Sequence, residues 1–116
     1  LLPTALERKV GIVVAGVYNS GLLGRNRPSP DATFDYEPVP PAILERANRV
    51  ADACEAHGVT LPEAAIAYVL RHPAVVSVVV GARGGDQVRS NIERYRAAMP
   101  ERLWIELEAA GVIAAL

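Results

Sequence analysis

Two short valine-rich segments constrain the fold of this chain most. "GIVVAGV" at 11–17 and "VVSVVV" at 75–80 are apolar, β-branched and free of charged residues. Continuous apolar runs of this kind are typical of parallel strands covered on both faces, because a strand with one wet face alternates apolar and polar residues. The sequence therefore predicts two buried parallel strands.

Helical patterns lie between and after these strands. Thr60 and Glu63 have the spacing of a capping box, and Gly58 is placed to end the preceding helix. The segment 25–42 holds five of the nine prolines and predicts a long loop. We predict one partial barrel domain over 1–116, with a strand at about 10–17, a loop at 18–40, helices at about 41–57 and 61–71, a strand at about 75–80, and helices at about 85–98 and 101–110.

The alternation of buried strands with helices predicts an α/β fold with a parallel sheet. Two strands cannot close a sheet on themselves, so both edges are expected to stay open. A complete (β/α)8 barrel needs about 250 residues. By element count, this chain of 116 residues is about a quarter of such a barrel.

Composition excludes several classes of function. A net charge of −1 gives no electrostatic basis for a nucleic-acid partner. No apolar stretch approaches the length of a membrane span, so no membrane partner is expected either. The single Cys54 fits a cytoplasmic protein, and one Cys with two His at unrelated spacing predicts no metal site.

The corner after the second valine segment combines Gly81, Ala82 and Arg83 ahead of a helix. Backbone N–H groups at a helix N-terminus attract anions, and a glycine lets the backbone approach a ligand closely. An arginine can bind a phosphate through its planar fork of donors. The sequence predicts an anion site here, with a plain turn and a solvated arginine as the alternative.

Three segments resemble the C-terminal part of the aldo-keto reductase family: "GVYNSGLL", "CEAHGVTLPEAAIAYVLRHPAVVSVVVGAR" and "QVRSNI". The resemblance is strongest to its bacterial sugar dehydrogenases of the D-threo-aldose (L-fucose) dehydrogenase type. It implies that the chain is the C-terminal quarter of a (β/α)8 TIM barrel, with strands 7 and 8 and their helices. It also implies hydride transfer between NAD or NADP and a carbonyl or aldose substrate of the full-length parent.

The resemblance also assigns residues to the dinucleotide. Gly81, Ala82 and Arg83 would meet its adenosine-phosphate end, and Gln87 and Asn91, four residues apart on one helix face, its adenine and ribose. The cluster after strand 7 would lie near the pyrophosphate and nicotinamide: Tyr18, Asn19, Ser20 and Gly21.

The catalytic Asp, Tyr, Lys and His of the family belong to the first half of the barrel. No motif carrying them is found in this sequence, so no catalytic residue is assigned and the chain alone is expected to be inactive. Self-association or the missing part of the barrel is expected to cover the sheet edges.

Two other functions stay open. One stretch has the sequence pattern of a helix–turn–helix, residues 45–73, "ERANRVADACEAHGVTLPEAAIAYVLRHP". It would make a DNA-binding or protein-interaction module without a cofactor. A purely structural interaction domain, with open sheet edges and no ligand, is the other.

Overall fold

The computed structural model describes residues 1–19 and 21–114. Helices and strands follow one another in this order: α1 (Leu2–Glu7), β1 (Ile12–Ala15), β2 (Thr33–Phe34), β3 (Glu37–Pro38), α2 (Pro41–Ala56), α3 (Leu61–Leu70), β4 (Val75–Val79), α4 (Gly85–Arg96) and α5 (Glu101–Ala109). Among the described residues, no helix has both the length and the apolar character needed to cross a bilayer.

β1 and β4 pair in parallel, so the predicted α/β fold with parallel strands is confirmed. The register is interrupted once, between Ile12 and Val13, and then runs regularly to the pair Ala15–Val79. The C-terminal ends of both strands therefore lie side by side, at the same end of the sheet. The loop after β1 and the corner after β4 leave the sheet side by side, as the ends of parallel strands do.

The hydrophobic core lies mainly among the helices. A capping box starts α3, since the Glu63 amide donates to Thr60 Oγ1 and the Thr60 amide donates to Glu63 Oε1. Gly58 ends the preceding turn with a φ of +72°, which favours glycine. The centre of the core brings α2, α3, α5 and the segment after α5 together through Cys54, Ala64, Leu103, Trp104, Leu107 and Val112.

One face of the sheet is open, which differs from the expectation that both faces are covered. Val13 and Val79 are 58% and 56% exposed, and Ala15 and Ser77 are exposed beside them. Because paired residues point the same way, these four side chains form one surface, called here the open face. Within the described ranges, no third strand joins β1 or β4, so the outer edges of this strand pair are open as well.

Local differences from the sequence prediction concern short elements. β1 covers Ile12–Ala15, not 10–17, because Gly16 turns the chain with a φ of +69°. The proline-rich segment contains the antiparallel hairpin of β2 and β3, where a loop was predicted. Its tight turn places Asp35 and Tyr36 at positive φ.

Candidate functional site

A hydrogen-bonded network joins the loop after β1 to the corner after β4, at the C-terminal ends of the two strands. The Tyr18 hydroxyl donates to Asn91 Oδ1 at 2.9 Å, and Asn91 Nδ2 donates to the Gly81 carbonyl at 3.2 Å. Tyr18 follows β1, Gly81 follows β4, and Asn91 lies on α4. The structure therefore brings three of the residues assigned from sequence into one contiguous network.

Asn91 is the centre of this network. It is 8% exposed, the one buried polar side chain among the described residues. Its amide oxygen and amide nitrogen both have partners within the chain, as a buried amide requires. Asn91 thus fixes the two loops relative to each other, while its assigned contact with adenine stays a prediction.

Arg94 belongs to the same network and was not predicted. Its Nη1 donates to the Tyr18 hydroxyl at 3.1 Å, and its guanidinium carbon lies 5.4 Å from the centre of the Tyr18 ring. Its Nη2 donates to the Gly24 carbonyl at 3.5 Å. Sequence offered one signal, the i, i+3 spacing that places Arg94 on the same face of α4 as Asn91.

The corner formed by Gly81, Ala82 and Arg83 is exposed. A Cβ placed on Gly81 would meet no atom within 4 Å, so the backbone there is open to a ligand. The amide of Arg83 donates to Gln87 Oε1 at 2.6 Å, which ties the corner to the first turn of α4. The Arg83 side chain is left to reach solvent.

The start of α4 offers further donors. Its N-cap is Gly84, and no side chain caps the first turn. The N–H groups of that turn therefore lack the side-chain acceptor that usually satisfies them, and they carry the positive end of the helix dipole. Asp86 also lies in this turn, 3.5 Å from Arg89, which offsets part of its negative charge.

The cluster after β1 is held by the neighbouring hairpin. Asn19 has a φ of +45°, and its Oδ1 accepts a hydrogen bond from the Asp35 amide at 3.1 Å. Gly21 has a φ of +91° and forms an isolated bridge with Thr33. Ser20, the remaining residue assigned here, lies outside the described residues.

Both histidines take part in local contacts away from this edge. His57 Nε2 lies 2.8 Å from Glu106 Oε2 and links the end of α2 to α5. His72 Nδ1 accepts from the Ala74 amide at 3.1 Å. Across 1–19 and 21–114, no three His, Cys, Asp or Glu side chains come together as metal ligands would.

Comparison with known proteins identifies the family. The model of the aldo/keto reductase family matches residues 1–111, nearly the whole chain. The chain belongs to the aldo/keto reductase family. The resemblance seen in the sequence is thereby confirmed, and the family is one of oxidoreductases.

Two relatives of this aldo/keto reductase chain match almost all of it. It is 38% identical over 112 residues to pyridoxal 4-dehydrogenase of Microbacterium luteolum, covering 97% of the chain and 32% of that protein. It is 40% identical over 113 residues to D-threo-aldose 1-dehydrogenase of a Pseudomonas species, covering 97% and 34%. The chain therefore spans about a third of the length of these relatives.

A more distant relative is Protein tas of Escherichia coli (strain K12). It is 36% identical over 58 residues, which are half of this chain and 17% of that protein.

Proposed function

We propose that this chain is the C-terminal quarter of an aldo/keto reductase barrel, carrying strands 7 and 8 and part of the site for NAD or NADP. The parallel pairing of β1 and β4 and the linked loops at their shared edge support this proposal. In the parent enzyme, the reaction would be oxidation of an aldose or a related alcohol, or reduction of the matching carbonyl. The name of D-threo-aldose 1-dehydrogenase supports an aldose, whereas the other relative is named for pyridoxal.

The observation that carries the proposal is the exposed, uncapped corner between β4 and α4. Gly81, Ala82 and the Arg83 guanidinium would hold the phosphate end of the dinucleotide. A Cβ placed on Gly81, Gly84 or Gly85 would meet no atom within 4 Å apart from neighbouring backbone, so side chains leave room for a ligand at these positions. When bound, the dinucleotide supplies the hydride donor or acceptor.

The residues of the network would position the remainder of the dinucleotide. Gln87 and Asn91 lie on α4 behind the corner, and Tyr18, Asn19 and Gly21 lie after β1. Ser20, assigned to the same group by the resemblance, lies outside the described residues. Asn91 and Tyr18 hold one another, so their contribution is the fixed separation of the two loops. A group held in place before binding loses less entropy when the ligand arrives.

Hydride transfer to a carbonyl also needs a proton donor beside the reacting carbon. The proposal assigns that donor to the part of the barrel outside this chain, so the chain alone is inactive. The open face would be covered by that part of the barrel, or by a second copy of the chain. A cytoplasmic location belongs to the same proposal and is supported by the single, buried Cys54.

The helix–turn–helix alternative receives no support from the packing. A recognition helix must present one face to the DNA groove. In α3, the first two turns are buried through Leu61, Pro62, Ala64, Ala65 and Ile66.

Calorimetric titration of the chain with NAD and with NADP tests the proposal. Binding of either dinucleotide is expected, and Arg83→Gln is expected to weaken it by removing a phosphate contact. Arg102→Gln is the matched control, since it removes the same charge from the exposed start of α5. Absence of binding by the unmodified chain, or equal losses in both variants, would contradict the proposal.

A further inference from the structure

Arg94 contacts both ends of the turn that follows β1. Its Nη1 reaches the Tyr18 hydroxyl at 3.1 Å, and its Nη2 reaches the Gly24 carbonyl at 3.5 Å. The turn between these two residues has its own hydrogen bonds, from the Leu23 amide to the Tyr18 carbonyl and from the Gly24 amide to the Gly21 carbonyl. A single side chain on α4 therefore clamps a turn that is about seventy residues distant in sequence.

Asn91 and Arg94 hold the Tyr18 hydroxyl from two directions. The hydroxyl donates to Asn91 Oδ1 and accepts from Arg94 Nη1. A phenolic hydroxyl has one proton to donate, so its donor capacity is fully used in this arrangement. The guanidinium also lies against the ring of Tyr18, where a cation is attracted by the aromatic face.

We infer that Arg94 is a positioning residue of the dinucleotide site. It fixes Tyr18 and Gly24 relative to the corner at Gly81, although it is assigned no contact with the dinucleotide itself. This inference rests on the proposed function, because the site is the one proposed above. Its physical basis is that a binding site is only as well ordered as the side chains supporting its loops.

The competing explanation is that Arg94 only complements the helix dipole. Basic residues in the last turn of a helix are favourable there whatever they contact. Arg96 lies in the same last turn, is exposed and carries the same charge, so it has the same dipole role. A comparison of substitutions at positions 94 and 96 separates the two explanations.

Hydrogen exchange at the Leu23 and Gly24 amides tests the inference directly. In Arg94→Met, exchange at both amides is expected to rise roughly tenfold, the loss that corresponds to one charged hydrogen bond. Exchange in α2, α3 and α5 is expected to stay unchanged, and Arg96→Met is expected to leave Leu23 and Gly24 unchanged. Arg94→Lys is expected to restore only part of the protection, since an ammonium lacks the planar fork that reaches two acceptors.

Dinucleotide affinity provides the second readout. Arg94→Met is expected to weaken NAD or NADP binding severalfold, and Tyr18→Phe to weaken it as well. The double variant should lose less than the product of the two single losses, because both remove the same contact.

Unchanged exchange at Leu23 and Gly24 in Arg94→Met would overturn the inference, as would equal effects of Arg94→Met and Arg96→Met. Failure of the unmodified chain to bind either dinucleotide would instead overturn the proposed function. The exchange experiment would still decide whether Arg94 positions the turn, so the two failures are distinguishable.

Discussion

The Cys54 thiol is enclosed by the core, where it is 1% exposed. Burial raises the pKa of the Cys54 thiol to about 11, and the nearby carboxylates of Glu63 and Glu55 contribute to the same shift. Because the thiolate is the reactive form, alkylation by iodoacetamide at pH 8 is expected to be slow in the folded chain and fast in urea. Equal rates in both conditions would contradict this prediction.

The same pKa shift predicts the direction of a pH effect on stability. The unfolded thiol titrates at a lower pH, near 8.5, so above that pH the unfolded state releases its proton first. The contribution of Cys54 is therefore complete below about pH 8.5 and is lost as the pH rises through about 11. Urea unfolding measures the decrease in the free energy of unfolding from pH 8 to pH 10.5. This decrease should be smaller in Cys54→Ala than in the unmodified chain.

The capping box at the start of α3 is a second feature that single substitutions can test. Thr60→Ala removes the oxygen that accepts from the Glu63 amide, and we expect it to cost about 1 kcal/mol in the free energy of unfolding. Thr60→Ser keeps that oxygen and is the matched control. Equal costs in urea unfolding for Ala and Ser would show that the cap contributes nothing.

For individual residues, the sequence predicts contacts between near neighbours in the chain well and contacts between residues far apart in the chain poorly. Thr60 and Glu63 are three residues apart, so their spacing alone indicates the box. The assignment of Asn91 to the site came from resemblance, but its hydrogen bond to Tyr18, 73 residues away, depends on strand pairing. Arg94 was missed because a basic residue near a helix end has an ordinary explanation in the helix dipole.

Among the elements, the proline-rich loop is fastened to α2 by one arginine. Arg27 binds Glu55 through Nε and Nη2, both at 2.9 Å, and its Nη2 also lies 2.6 Å from Asp52. Its Nη1 donates to the Asn48 carbonyl. A bidentate pair with a second carboxylate is the surface geometry in which an ion pair contributes most.

Removing the contacts of Arg27 with α2 is expected to increase the mobility of the proline-rich segment while leaving the core intact. Arg27→Gln should increase hydrogen exchange at the Ala32 amide, which closes a turn on Ser29, and at the Val39 amide, which bonds the Ala32 carbonyl across the hairpin. Because the pair is exposed, 1 M salt should produce part of the same effect in the unmodified chain. Arg25→Gln is the control, and an equal increase in that variant would contradict the role given to Arg27.

Element prediction succeeded where the signal extends over several turns. The sequence predicts a helix at 41–57, and α2 covers Pro41–Ala56. It misses the hairpin because Asp35 and Tyr36 take the positive φ angles that sequence patterns associate with Asn-Gly or Asp-Gly. It also misses α1, which has six residues and so gives too short a periodic pattern.

The whole molecule presents an uncovered sheet, and this has a measurable consequence. The open face and, in the part of the chain that the structure describes, the unpaired outer edges of β1 and β4 favour association, because exposed apolar surface and exposed strand edges both tend to bind another chain. Sedimentation velocity should show mass increasing with concentration for the unmodified chain. Val79→Lys should reduce that association, since a lysine there would bury its charge in any contact.

Ile105→Lys is the control for this measurement, because Ile105 is also exposed but lies on α5. A monomer at every concentration, or the same reduction in both variants, would contradict association through the open face.

At the scale of the molecule, the sequence indicated the class of fold. Two valine segments separated by helices predict a parallel pair, and β1 and β4 form one. The exposure of Val13 and Val79 could not be predicted from the sequence, because a valine-rich strand has the same sequence pattern whether or not another layer covers it. That exposure agrees with a chain that spans about a third of its relatives.

The parallel pairing of β1 with β4 also sets an order of events during synthesis. Ala15 meets Val79, and Tyr18 meets Asn91, only after the ribosome has made both helices between the strands. Pairing of β1 with β4 therefore becomes possible only after more than sixty further residues, which include α2 and α3, have been translated.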